Sequence, residues 1–163
     1  ACISSKQDTL MSLMKELEDE FSDNVLVFDK ILQTVASVPK PDVYQTMNVF
    51  ANKQMFDTTN PNRLRALYGA FITRNPNEFH KIDGTGYKFL AQKLIEFDRI
   101  NPQLAARLVD PLLSFKKYDE VREAKMLDQL NALNNLDLSK DLKEKVQSAL
   151  TLTTNSDTNK NVG

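Results

Sequence analysis

Apolar residues recur at steps of three and four in segment after segment of this chain, and that spacing commits it to helices. Leu10, Leu13, Met14, Leu17 and Phe21 fall on one helical face, with Glu16, Glu18, Asp19 and Glu20 on the other, which predicts a helix over about 8–21. Val25, Phe28, Ile31, Leu32 and Val35 predict a second over about 24–37, and Val43, Met47, Phe50 and Met55 a third. Tyr87, Leu90, Ala91, Leu94 and Phe97 make a stripe over about 87–98. Val121, Met126, Leu130 and Leu133 mark a long helix near the end, and Leu138, Leu142, Val146 and Leu150 a final one.

The breaks between these stripes are chemically explicit. Pro39 and Pro41 interrupt after the second helix, because proline lacks an N–H and its ring clashes with the preceding turn. Three Asn-Pro pairs follow: Asn60-Pro61, Asn75-Pro76 and Asn101-Pro102. An Asn side chain can accept a free N–H of the first turn, and proline is preorganised for the first helical position, so each pair reads as a helix start. They open segments of about 63–74, 76–79 and 103–109. Pro111 lies inside an apolar pattern, where it kinks or splits the helix. Residues 153–163 are small and polar and read as a disordered tail beyond a single domain of residues 1–152.

Four glycines and six prolines leave little material for hairpin turns, and β-branched runs are short. The expected fold class is all-α, with successive amphipathic helices on short links forming antiparallel pairs stacked into an armadillo- or HEAT-like right-handed superhelix. A compact bundle is the alternative. A chain of 163 residues buries roughly 70% of its unfolded surface, enough for a core without staples.

Charge and cysteine count narrow the partners. The net charge is −1 with no basic stripe, which argues against nucleic acid and anionic membrane. Cys2 is the only cysteine, so no disulfide forms within the chain and a reducing, cytoplasmic setting is expected. No apolar run approaches the ~20 residues needed to span a bilayer, and no signal peptide opens the sequence. The chain starts at Ala1 rather than Met, which suggests trimming or a piece of something longer.

The sequence offers no catalytic set. A zinc peptidase site needs His-Glu-x-x-His on a helix, and His80 is the sole histidine. It reads as a capping or loop-packing residue. Gly84-Thr85-Gly86 follows no strand and lacks the third glycine of a dinucleotide fingerprint, so it reads as a helix-start turn. Carboxylate pairs such as Glu18/Asp19 and Asp119/Glu120 lie on polar faces.

Two basic regions are more informative. Arg63 and Arg65 sit in the first turn of their helix, where the helix dipole opposes cations. Gln103 and Arg107 are one turn apart and share a face that approaches Asp110, a possible partner for Arg107. Surface salt bridging is one explanation for these arginines; ligand contact is the other.

The order of short motifs resembles a known family. Asn60-Pro61-Asn62-Arg63-Leu64-Arg65 and Gly69-Ala70-Phe71, then Asn75-Pro76, Phe79-His80 and Asp83-Gly84-Thr85-Gly86-Tyr87, are similar to the C-terminal domain of bacterial aminopeptidase N. Asn101-Pro102-Gln103, Ala106-Arg107-Leu108, Pro111-Leu112 and Lys117-Tyr118-Asp119 continue the match, which runs from roughly Leu10 to Leu150. The family often has a tryptophan after Asp-Lys, where this chain has Ile31 after Asp29-Lys30.

The resemblance implies a parent enzyme that removes N-terminal amino acids from peptides, with zinc held on a helix this chain lacks. It implies that this domain is noncatalytic, caps the catalytic domain of the same polypeptide and encloses the substrate chamber. Arg65, Gln103 and Arg107 match positions that contact peptide substrate beyond the cleaved bond; the chain itself supplies no catalytic or metal-binding residue. A free-standing helical-repeat module that binds a peptide or protein is the alternative.

Overall fold

A computed structural model describes residues 24–158, together with Ser12, Lys15, Glu16 and Asp19; the side chains of residues 155–158 are not described. The expected helix over 8–21 lies mostly outside the described residues, and the four described there are helical and exposed. Every regular element among the described residues is helical. The chain divides into two compact units, Ala1–Asn75 and Pro76–Gly163.

In the first unit α1, Val25–Ala36, starts where Asn24 accepts hydrogen bonds from the N–H groups of Leu26 and Val27. Four residues of its expected stripe, Phe28, Ile31, Leu32 and Val35, are at most 7% exposed, whereas Val25 in the first turn is 52% exposed. Next comes α2, Val43–Ala51, with Val43, Met47 and Phe50 inward. Then α3, residues 61–74, opens on the Asn60 cap and Pro61. It is α-helical over Pro61–Leu64, widens to a π-helical turn over Arg65–Gly69 and returns to α over Ala70–Arg74. It packs on α1 and buries Leu64, Leu67, Tyr68 and Phe71, as the periodicity required.

Asn75 departs from expectation. Its side chain does not cap the helix that follows; its amide donates to the carbonyls of Ala36 (3.0 Å) and Val38 (2.8 Å), 39 and 37 residues upstream. Ala36 ends α1, where the last turn leaves carbonyls without an intrahelical partner, and Val38 follows just beyond it. A buried amide with two N–H donors satisfies them better than water could.

The second unit starts with α4, Pro76–Phe79, followed by α5, Thr85–Ile100. Then come α6, Pro102–Leu108, and α7, Asp110–Leu113, divided at Val109 just before Pro111. Asn101 caps α6 by accepting from Leu104 N at 3.1 Å. A 3-10 turn, Phe115–Lys117, leads to α8, Glu120–Asn134, and α9, Lys140–Thr158. Helix α5 packs on α6 and α8, and α9 on α6 and α8. Tyr87, Leu90, Leu94, Phe97, Leu104, Leu112, Met126, Leu130, Leu142 and Val146 form the core. Val121 was expected inward but is 51% exposed, because it lies in the first turn of α8 off the Met126–Leu130–Leu133 face. The last helix also runs beyond Thr153, to Thr158. Asp98, buried on α5, accepts from both the backbone N–H (2.7 Å) and the hydroxyl of Ser139, and so ties the start of α9 to α5.

Candidate functional site

The three sequence-selected residues lie on solvent-exposed helix faces. Arg65 begins the π-turn of α3 and is exposed although Leu64, Ala66, Leu67 and Tyr68 around it are buried. Gln103 and Arg107 share the outer face of α6, one turn apart, both exposed, with Leu104, Ala105, Ala106 and Leu108 inward. Arg65 belongs to the first unit and the Gln103–Arg107 pair to the second.

Surface salt bridging accounts for neither arginine. Among the described residues, Arg65 and Arg107 form no ion pair. Asp110, the expected partner of Arg107, binds Lys145 at 2.7 Å instead. Arg63, two residues before Arg65, does pair. The residue is 5% exposed; its guanidinium bonds Asp29 of α1 and lies 5.5 Å from the Phe28 ring centre. Two cations that read alike in sequence therefore have opposite fates, one locked into the core and one left facing solvent.

His80 is a packing residue, as its sequence context suggested. Its Nδ1 is 2.8 Å from the Tyr87 hydroxyl. The Tyr118 ring stacks on the imidazole at a centroid distance of 4.5 Å and 27°. The Tyr118 hydroxyl is 3.2 Å from Nε2, but stacked rings aim that hydroxyl poorly at an in-plane lone pair, so we weight the stacking above the hydrogen bond. The His80 carbonyl accepts from Arg122 Nε at 2.7 Å, and Arg122 also binds Asp119 at 2.7 Å. Burial first, then the Arg122 charge, holds His80 below the usual histidine range. Burial pushes the Tyr87 hydroxyl up to about 12.

Two glycines make that corner possible. Gly84 has φ +78°, a left-handed conformation that an L side chain resists, and Asp83 closes the turn by accepting from Thr85 N at 2.8 Å. Gly86 lies so close to the backbone of α4 that a Cβ there would stand 2.2 Å from the Phe79 carbonyl oxygen. The glycine pair is thus a helix-start turn and a close crossing.

Zinc does not fit this donor set. Among the described residues no group of three or more His, Cys, Asp or Glu side chains is arranged to hold a metal ion, and His80 already faces Tyr87 and Tyr118. An open groove of about 680 Å³ runs between the 3-10 turn and α9, lined by Leu113, Phe115, Lys116, Lys117, Ala149 and Leu152 among others; neither Gln103 nor Arg107 borders it. No helix among the described residues is long and apolar enough to cross a membrane.

One family profile, described as a domain of unknown function (DUF3458_C) made of ARM repeats, matches residues 1–151. The chain belongs to that family. The helical-repeat architecture expected from the sequence is the one that description carries, and it prevails over the compact bundle. Aminopeptidase N of Escherichia coli (strain K12) is 43% identical over 142 residues, which is 85% of this chain and 16% of that protein. Aminopeptidase N of Haemophilus influenzae is 38% identical over 141 residues, again 85% and 16%. The chain thus spans about one sixth of the length of the curated relatives it matches, and it is homologous to their C-terminal part. Among solved structures, Legionella pneumophila aminopeptidase A in complex with aspartic acid superposes with a TM-score of 0.82 at 28% identity, over 88% of this chain and 17% of that one.

Sequence reasoning missed the inward turn of Arg63 and the part-exposure of Gly69 beside Arg65. A helical-wheel count would have placed Gly69 one turn from Arg65, but it could not show that among the described residues only the Arg65 Cβ comes near it.

Proposed function

We propose that residues 1–152 form the noncatalytic C-terminal domain of a zinc-dependent aminopeptidase that removes N-terminal amino acids from peptides in the cytoplasm. The observation that carries this reading is the 43% identity to an aminopeptidase N along 85% of this chain. The zinc ligands and the groups that act on the scissile bond would lie in the catalytic domain of the same polypeptide, since the described residues hold no donor set for them. This domain would cap that catalytic domain and wall the substrate chamber. A lone cysteine suits a reducing compartment.

Arg65, Gln103 and Arg107 would contact the peptide beyond the cleaved bond. Among the described residues neither arginine's guanidinium is committed to an ion pair, and a guanidinium can pair in two-pronged fashion with a terminal carboxylate or with carbonyl oxygens. Gln103, one turn from Arg107, adds an amide that both donates and accepts.

The test is an assay of the chain expressed alone and free of protease, with and without added zinc. It should fold as a helical protein, bind no zinc stoichiometrically and leave amino-acid anilides intact. Cleavage by the chain unaided would overturn the proposal.

A further inference from the structure

Gly69 closes the π-turn that Arg65 opens, and nothing among the described residues explains why it is glycine. Its backbone is ordinary right-handed helix, φ −62° and ψ −41°, so no conformational need exists. Among the described residues a Cβ built there would meet only the Arg65 Cβ at 3.7 Å, ordinary van der Waals contact, so none of them imposes a packing need. The contrast with Gly84 and Gly86 is direct, since one has a positive φ and the other a backbone clash. A glycine inside a helix destabilises it relative to alanine. A π-turn is itself an uncommon feature that concentrates at functional sites. Both fall on exposed Arg65 and part-exposed Gly69, while Leu64, Ala66, Leu67, Tyr68, Ala70 and Phe71 around them are buried.

We propose that Gly69 is a positioning residue: its bare backbone gives clearance for the main chain of an extended peptide lying along α3, with Arg65 as its electrostatic anchor. This rests on the reading of Arg65 as a substrate contact. The solvent-facing strip runs through exposed Asn62, Arg65 and Thr73 and part-exposed Gly69. From Arg65 to Thr73 it spans about 12 Å at 1.5 Å per residue. An extended peptide covers that length with roughly three to four residues at about 3.3 Å each. A strip one helix face wide is too narrow for the ~800 Å² per partner of a stable protein interface, but it matches a single strand of main chain. Charge selects the occupant: Arg65 is the strip's cation and has no ion pair among the described residues, so it complements carbonyl oxygens or a terminal carboxylate.

The experiment uses the full-length parent enzyme and three variants, Gly69→Ala, Gly69→Leu and Arg65→Ala. Substrates are an amino-acid anilide and peptides of two to six residues, with thermal melting of every variant. Gly69→Ala should melt no lower than the parent, yet raise KM several-fold more for the longer peptides than for the anilide, with kcat little changed; Gly69→Leu should widen that gap. A merely structural glycine would shift the melting temperature and leave the ratio of the two KM values where it was. If Arg65→Ala raises the peptide KM but both Gly69 variants leave it alone, the clearance role is overturned while the Arg65 contact survives. If all three leave it alone, the Arg65 reading falls and takes this inference with it.

Discussion

The corner around His80 and the outer face of α6 belong to the same compact unit and treat polar groups in opposite ways. At the corner, His80, Tyr87, Tyr118, Asp119 and Arg122 bind or stack on one another, and the Arg122 guanidinium is shared between a carboxylate and a carbonyl. On α6, Gln103 and Arg107 point outward with no ion pair to hold the arginine. The first unit repeats the contrast within three residues, since Arg63 is paired inside with Asp29 and Arg65 forms no ion pair among the described residues. A polar group whose donors are consumed within the fold supports the fold. One whose donors remain open, on a helix whose other faces are packed, is available to a ligand. His80 looked more like chemistry in the sequence and serves structure, whereas the arginines looked like surface charge and are the better candidates for binding.

The sharpest way to break the closed corner is Gly86→Ala. The new methyl would press on the Phe79 backbone, which has no rotamer to move. Stability should fall by about 3 kcal/mol, roughly 10 °C in melting temperature for a chain of this size. A thermal melt within 2 °C of the parent, by the same roughly estimated scale, would show the crossing to be loose.

Next is the paired experiment on α3. Arg63→Ala removes the partner of a largely buried Asp29 carboxylate and should cost about 2–3 kcal/mol. Arg65→Ala should change stability by less than about 0.5 kcal/mol, as for an exposed group that touches little. Denaturant titration of the two variants reads the difference directly, and equal losses would erase the distinction between closed and open cations.

Arg107→Ala tests the open face. In the parent enzyme it should raise KM for peptides about tenfold more than for single-residue anilides, the loss of one charge-assisted hydrogen bond. Equal changes for both substrates would count against peptide contact, and a large fall in melting temperature would move Arg107 to the structural side.

The smallest effect concerns pH. His80 is held below the ordinary histidine value of about 6.5 by burial and by Arg122, so the folded state favours the neutral ring. Its contribution to stability is fully present above the unfolded value and is lost as pH falls below about 6.5 toward the folded one. Melting measured between pH 7.5 and 5 should therefore decline, and His80→Phe should flatten that decline. An unchanged slope in the variant would assign the pH dependence to other groups.

Much of the fold was legible from local pattern. The helix over 24–37, the stripe from Tyr87 to Phe97 and the break at Pro111 all follow from spacing and proline. The candidate residues were legible as exposed, because Gln103 and Arg107 sit opposite an apolar stripe. The three Asn-Pro pairs mark the limit of local reading. Asn60 and Asn101 cap their helices, but the identical dipeptide at Asn75 spends its side chain on carbonyls of α1.

The sequence by itself determined which stretches are helical, where they stop and which family the chain resembles, because helix period, caps and breakers act over four residues or fewer. Only the tertiary structure decided that Arg63 turns inward, that Asn75 closes α1 and that Arg122 holds the His80 carbonyl. Their partners lie 34, 39 and 42 residues away. No local preference encodes such a pairing; it exists only once packed helices bring two distant polar groups out of water together, where each is costly without the other.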